Sequence, residues 1–223
     1  MFAEFFHKKI IKLIACGISV LMAFGGMGYA YSLSKVKSVE LNESFYFLVS
    51  TDTRVEASAE FVKWNGGAGY LLESEGAEYV ALAVFLDKSE GETVRKRLDK
   101  STTLLQKVCP RLYFKGKQKE KEGLYVSALK LLKSYMLLLE DCIGRLESGM
   151  TQEACKRILR VIERQFIYSK WRYNVYPSFA KVCSQSGESL REICAQTVYL
   201  KDLRYLLCWQ AEKYVELCEA FSL

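Results

Sequence analysis

The chain has 223 residues, half of them apolar, with 32 Lys and Arg against 26 Asp and Glu and a net charge of +6. Basic residues alternate with acids along most of its length, so this mild excess excludes a dedicated nucleic-acid binder. The one histidine, His7, precedes the body of the chain, which excludes serine–histidine and cysteine–histidine nucleophiles and histidine metal sites from that body. A carboxylate pair or a serine–lysine dyad has no motif to mark it. Gly66-Gly67-Ala68-Gly69 lacks the lysine and serine of a phosphate loop. The expectation is a protein with no catalytic residues, no cofactor and no metal.

Residues 1–34 contain an uncharged run, residues 13–30 (LIACGISVLMAFGGMGYA), preceded by Lys8, Lys9 and Lys12. Its length suits a single bilayer crossing. Three readings compete: an uncleaved anchor, a signal peptide cut after Ala30, or a buried helix of a soluble protein. The run exceeds the usual apolar core of a signal peptide, which favours the anchor. The lysine excess before it favours a cytoplasmic N-terminus by one charge. The bulk of the chain is then extracytoplasmic at a bacterial cell membrane.

Residues 35–44 read as a polar linker, and residues 45–118 as a small α+β domain. Residues 45–50 (FYFLVS) have the aromatic and branched composition of a strand. Thr51, Asp52 and Thr53 can cap a helix over residues 54–64 with Val55, Ala59 and Val62 inward, ended by Asn65-Gly66-Gly67. Residues 69–73 and 78–86 form a hairpin about Ser74-Glu75-Gly76. Ser89 opens a helix with Glu90 and Glu92 in its first turn, running to about Lys107 and stopped by Pro110. Residues 111–115 supply a fourth strand. The order β-α-β-β-α-β predicts a four-stranded antiparallel sheet with two helices on one face.

This order and its residues resemble the SPOR family, the sporulation-related repeat domain of bacterial cell-wall proteins. The matching stretch is residues 45–98. It has a first strand, a helix with early alanines at Ala57 and Ala59, a glycine turn at residues 66–70, and a third strand opening on Tyr79. The resemblance implies a peptidoglycan-binding module that grips glycan strands lacking stem peptides through the sheet face away from its helices. Strand alternation assigns Tyr46, Leu48 and Ser50, with Val80, Leu82 and Val84, to that face.

The chain departs from the family there. Leu48 replaces a glutamine, Val80 and Leu82 replace basic residues, and Ala83-Val84-Phe85 replaces glycine-proline-phenylalanine. A face this apolar calls for a protein cover, either the C-terminal helices or a partner. Trp64, Tyr70 and Tyr79 are candidate sugar-stacking rings, with ordinary core packing as the alternative for each.

Lys115 to Lys121 is a charged connector, and residues 124–223 read as an antiparallel three-helix bundle. The first helix carries Leu129, Leu132, Met136, Leu139, Ile143 and Leu146 inward, and Gly149 ends it. Thr151 caps the second, which buries Ala154, Ile158, Val161, Ile162 and Phe166 and shows Lys156, Arg157, Arg160 and Arg164 outward. Pro177 marks a junction, and Ser186-Gly187-Glu188-Ser189 starts the last long helix.

Seven cysteines follow the apolar run, none in a CxxC pair, so buried small residues or one disulfide account for them better than zinc. Function then has two readings. One is a membrane-anchored, non-enzymatic envelope protein that binds peptidoglycan or a division or sporulation complex. The other is a protein-interaction module whose sheet has lost glycan binding and packs on its own helices or on envelope proteins.

Overall fold

The computed structural model describes residues 36–51, 55–98 and 101–222. The expected membrane span, residues 13–30, lies outside them, as do the expected capping residues Asp52 and Thr53. Among the described residues no helix is long and apolar enough to cross a membrane.

The aromatic-rich run at residues 44–50 forms a strand, here β2 (Ser44–Ser50), preceded in the expected linker by a short strand β1 (Lys37–Val39). Helix α1 (Val55–Trp64) ends in a turn whose Gly67 N–H donates to the Val62 carbonyl at 2.9 Å, with Gly66 at φ +82°. Strands β3 (Tyr70–Ser74) and β4 (Ala77–Phe85) form the expected hairpin; Glu75 and Gly76 both take positive φ, the geometry of the tight turn that suits twisted strands.

Asp87 caps helix α2 (Lys88–Arg97) by accepting from the backbone of Ser89 and Glu90. Strand β5 (Thr102–Val108) follows, and the sheet order is β3-β4-β2-β5, antiparallel at each of its three pairings. The βαββαβ arrangement is therefore present with a different fourth strand. The expected helix to Lys107 stops at Arg97. The threonines and alternating side chains of residues 102–108 pair with β2 over its whole length. Thr51 anchors this pairing, donating its N–H to the Ser101 carbonyl at 2.8 Å and its hydroxyl at 2.9 Å. The expected strand at residues 111–115 is β6 (Leu112–Phe114), which pairs with β1 in a separate two-stranded sheet.

One extra residue changes what the sheet presents. Leu48 pairs with Ala83 and Val49 with Ala81, so Leu82 is bulged out of register. Val84 then shares a face with Phe47, and Val80 shares the opposite face with Ser50. Strict alternation had put Val80, Leu82 and Val84 together.

The C-terminal half has four helices: α3 (Glu122–Glu147), α4 (Gln152–Arg172), α5 (Pro177–Ala195) and α6 (Leu200–Glu219). The expected third helix is two. Pro177 begins α5 at its first turn, where a missing N–H costs nothing, and residues 196–199 break the chain before α6. Ser186 and Gly187 do not start a helix; they lie inside α5 and are buried. A Cβ on Gly187 would sit 3.7 Å from Phe166 of α4, an ordinary contact distance, so the α4–α5 packing there has room for a methyl group.

Contacts run antiparallel around the four helices. Tyr135 hydrogen-bonds Ser169 at 3.0 Å between α3 and α4, Arg191 pairs with Glu163 at 2.9 Å between α4 and α5, Gln210 donates to Ser186 at 3.1 Å between α5 and α6, and the Tyr125 hydroxyl donates to the Leu217 carbonyl at 2.7 Å between α3 and α6. This is an up-down-up-down four-helix bundle.

The chain divides into two compact units. One is Met1–Ser38 with Tyr113–Glu122; its described part holds most of the β1–β6 sheet, a 3₁₀ turn at Gly116–Lys121 and a Lys37–Glu122 ion pair. The other is Val39–Leu112 with Gly123–Leu223 and carries the four-stranded sheet and the bundle.

Candidate functional site

The sheet face selected from the sequence is not free. Tyr46 pairs with Phe85, and Leu48 with Leu104. A Cβ on Gly91 of α2 would meet the Phe85 and Leu104 side chains at 3.2 and 3.3 Å. Tyr46, Leu48, Ser50 and Val80 therefore stand on the side covered by α2, not on the helix-free side. Leu48 and Val80 are fully buried. Leu82 sits in the bulge, half-buried.

The opposite face is sealed by α6. Phe45 meets Tyr214 edge-on with ring centroids 5.3 Å apart, and Tyr70 meets Tyr205 at 5.1 Å. The Tyr70 hydroxyl donates to the Glu212 carboxylate, which also accepts from Lys107 of β5 at 3.3 Å. Burial and that carboxylate push the Tyr70 hydroxyl far above the usual phenol range. Tyr70 is a core residue, and Tyr79, paired with Leu72, shares its face and is half-buried. The apolar sheet thus has the cover its composition calls for, and the cover comes from the chain itself.

Trp64 is different. It ends α1 with 88% of its surface exposed. Two open depressions of about 600 and 810 Å³ adjoin there, sharing Lys63 and Lys201 in their walls. Trp64 and Tyr199 line one of them; Tyr205 and Trp209 of α6 line the other, opposite Glu188, Ser189 and Glu192 of α5. Lys63 stands over the Tyr205 ring at 5.3 Å and Lys201 over the Tyr199 ring at 5.5 Å. The groove therefore offers the open Trp64 ring, two tyrosine rings each with an ammonium group over one face, and carboxylate and hydroxyl groups beside them. Such a surface suits a ligand that alternates apolar faces with hydroxyls.

The sequence proposed Trp64 without placing it. The other three, Tyr199, Tyr205 and Trp209, fall in α6 and the turn before it, off the apolar stripe of that helix and with no motif to mark them. Tyr199 and Tyr205 are both exposed.

Another cavity has a volume of about 590 Å³. It lies beside the end of β4, with Leu48, Phe61, Val84, Phe85 and Ile143 among its walls. Glu140 of α3 reaches into it and accepts the Leu86 N–H at 3.1 Å. Burial, helped by Glu90 and Asp87, pushes this carboxyl up to about 7 against the hydrogen bond that opposes it. Arg204, at the same wall, is held by Glu147 and by the Gly66 carbonyl. The seven cysteines of the body are all buried. Burial raises the thiols of Cys183, Cys194 and Cys208 above the usual range, which makes them poor nucleophiles. No group of metal-ligating side chains is present among the described residues.

Comparison with protein-family models, curated proteins and solved structures returns no match.

Proposed function

We propose that this chain is a non-enzymatic bacterial envelope protein, anchored by residues 13–30, that binds cell-wall glycan through the α1–α5–α6 groove rather than through its sheet. The observation that carries the reading is Trp64, a large ring left almost wholly in water beside three further aromatics and a row of polar groups. An apolar side chain of that size gains by burial, and a partner that covers it supplies the gain. The SPOR resemblance supports the glycan as that partner, and the buried, high-pKa thiols support a role without covalent chemistry.

The test uses the full chain in detergent, incubated with purified cell walls, either intact or stripped of stem peptides by amidase. Retention should increase on stripped walls, and Trp64→Ala should lower it at least tenfold, whereas Tyr46→Phe leaves it unchanged. Negligible retention on both wall preparations removes the glycan. The second reading, a protein-interaction module, is favoured by one observation: the sheet face that the resemblance assigns to glycan is closed by α6. A photo-cross-linker at position 64 that captures an envelope protein in cells, with no wall retention, selects it.

A further inference from the structure

Cys142, near the end of α3, and Cys155, near the start of α4, bring their sulfurs to 3.4 Å, and both are completely inaccessible. They lie 13 positions apart across the turn that joins two antiparallel helices. A bonded pair needs about 2.05 Å between sulfurs, so closing the gap takes side-chain rotation and a small approach of the helices, with no change of fold. We propose that Cys142 and Cys155 form a disulfide that staples the α3–α4 hairpin when the chain folds in the presence of a disulfide donor.

The exchange balances in two steps. The Cys142 thiolate attacks one sulfur of the donor disulfide, forming a mixed disulfide and releasing one donor thiolate. The Cys155 thiolate then attacks the Cys142 sulfur and expels the second donor thiolate. The two protein thiols are oxidised, the donor is reduced to two thiols, and the two protons pass to the released thiolates.

Timing follows from burial. In the folded hairpin the Cys142 thiol is raised by desolvation and by its neighbour. A buried thiol in the protonated form does not attack an external disulfide. The bond therefore forms as the hairpin closes, and afterwards it is shielded from reductant. Cys194 is the rival partner for Cys155: its thiol lies 4.0 Å from the Lys156 carbonyl, one residue along α4. Cys183 and Cys208 remain thiols in this scheme, and Cys109 and Cys218, a second pair close enough to hydrogen-bond, are scored separately in the map.

The experiment refolds the full chain in detergent with a mixture of reduced and oxidised glutathione. Free thiols are then alkylated, and the digest is mapped by mass spectrometry. The expected map links Cys142 to Cys155 and shows Cys183, Cys194 and Cys208 alkylated. In parallel, with Cys109 replaced by serine in both, the oxidised chain should unfold about 5–10 °C above the reduced one, and the further double change C142S/C155S should lose that gap. Recovery of Cys142 and Cys155 as alkylated thiols, as glutathione adducts, or as partners of any other cysteine overturns the proposal. The map is read on the unmodified chain, so it stands whether or not the double variant folds. It is also independent of wall retention, so the disulfide and the glycan reading can fail separately.

Discussion

The seam between the sheet and α6 and the groove beside it are made from the same kinds of residue and do opposite things. Tyr70 and Trp64 flank one glycine turn. Tyr70 enters the seam, where its hydroxyl finds Glu212 and its ring finds Tyr205. Trp64 stays outside with its ring in water. For Tyr70 the cost of burying its polar tip is offset by the partner that meets it. The glycine turn decides which ring meets the helix, because Gly69 at φ +57° would bring any Cβ to 2.4 Å from the Ala59 carbonyl.

This contrast can be broken or sharpened by substitution. The largest effect is expected at Phe45, which is fully buried against Tyr214. Phe45→Ala should cost about 3–5 kcal/mol in denaturant unfolding, and a loss below 1 kcal/mol would mean that α6 does not seal the sheet.

Next comes pH, read through Glu140 where the seam meets the end of β4. Its carboxyl is raised to about 7 from the ordinary 4.5, so over that interval the folded state keeps a proton that the unfolded state has released. Stability should therefore fall as pH climbs from about 4.5 to about 7 and level off above. Water still reaching the carboxylate limits the fall to about 2 kcal/mol. Glu90, Glu147 and Arg204 line the same cavity and Asp87 acts on Glu140 from outside it, and Glu140→Gln should flatten the slope that belongs to Glu140 alone.

Two tyrosines of the seam should then move in opposite directions. Tyr70→Phe removes a hydrogen bond to a carboxylate and should cost about 1.5 kcal/mol. Tyr214 buries a hydroxyl that has no hydrogen-bond partner among the described residues, so Tyr214→Phe should raise stability by about 1 kcal/mol. Equal signs for the pair, measured by urea midpoints, would remove the distinction between partnered and unpartnered tips. The smallest effect on folding is expected in the groove. Trp64→Ala should stay within about 0.5 kcal/mol of the parent while changing binding.

The first strand, the first helix and the hairpin were legible because each has a local cause: branched and aromatic residues at 45–50, glycines at 66–67 and a glycine at 76. The second helix was read too long because the charged run at residues 88–97 is a strong helix former. Leu104 and Leu105 fit a helical stripe as well as a strand; only the threonines at 102 and 103 argued otherwise. The bundle's inward stripe on α3 was legible from its spacing. Ser186 and Gly187, read as a helix start, are buried mid-helix, where Ser186 accepts from Gln210 of α6, which is a tertiary reason. Val161, read as core, is exposed at 56%, because the α4 stripe turns with Cys155, Leu159, Ile162 and Phe166 instead. The aromatic groove was illegible beyond Trp64, since it depends on two helices meeting a distant turn.

Leu82 has a further implication. A single inserted position there sends the two ends of one strand to different layers of the molecule. Removing it, a one-codon deletion, would restore plain alternation and swap the inward and outward identities of every residue on one side of that point. Such a chain would have to choose which of its two helical covers to lose.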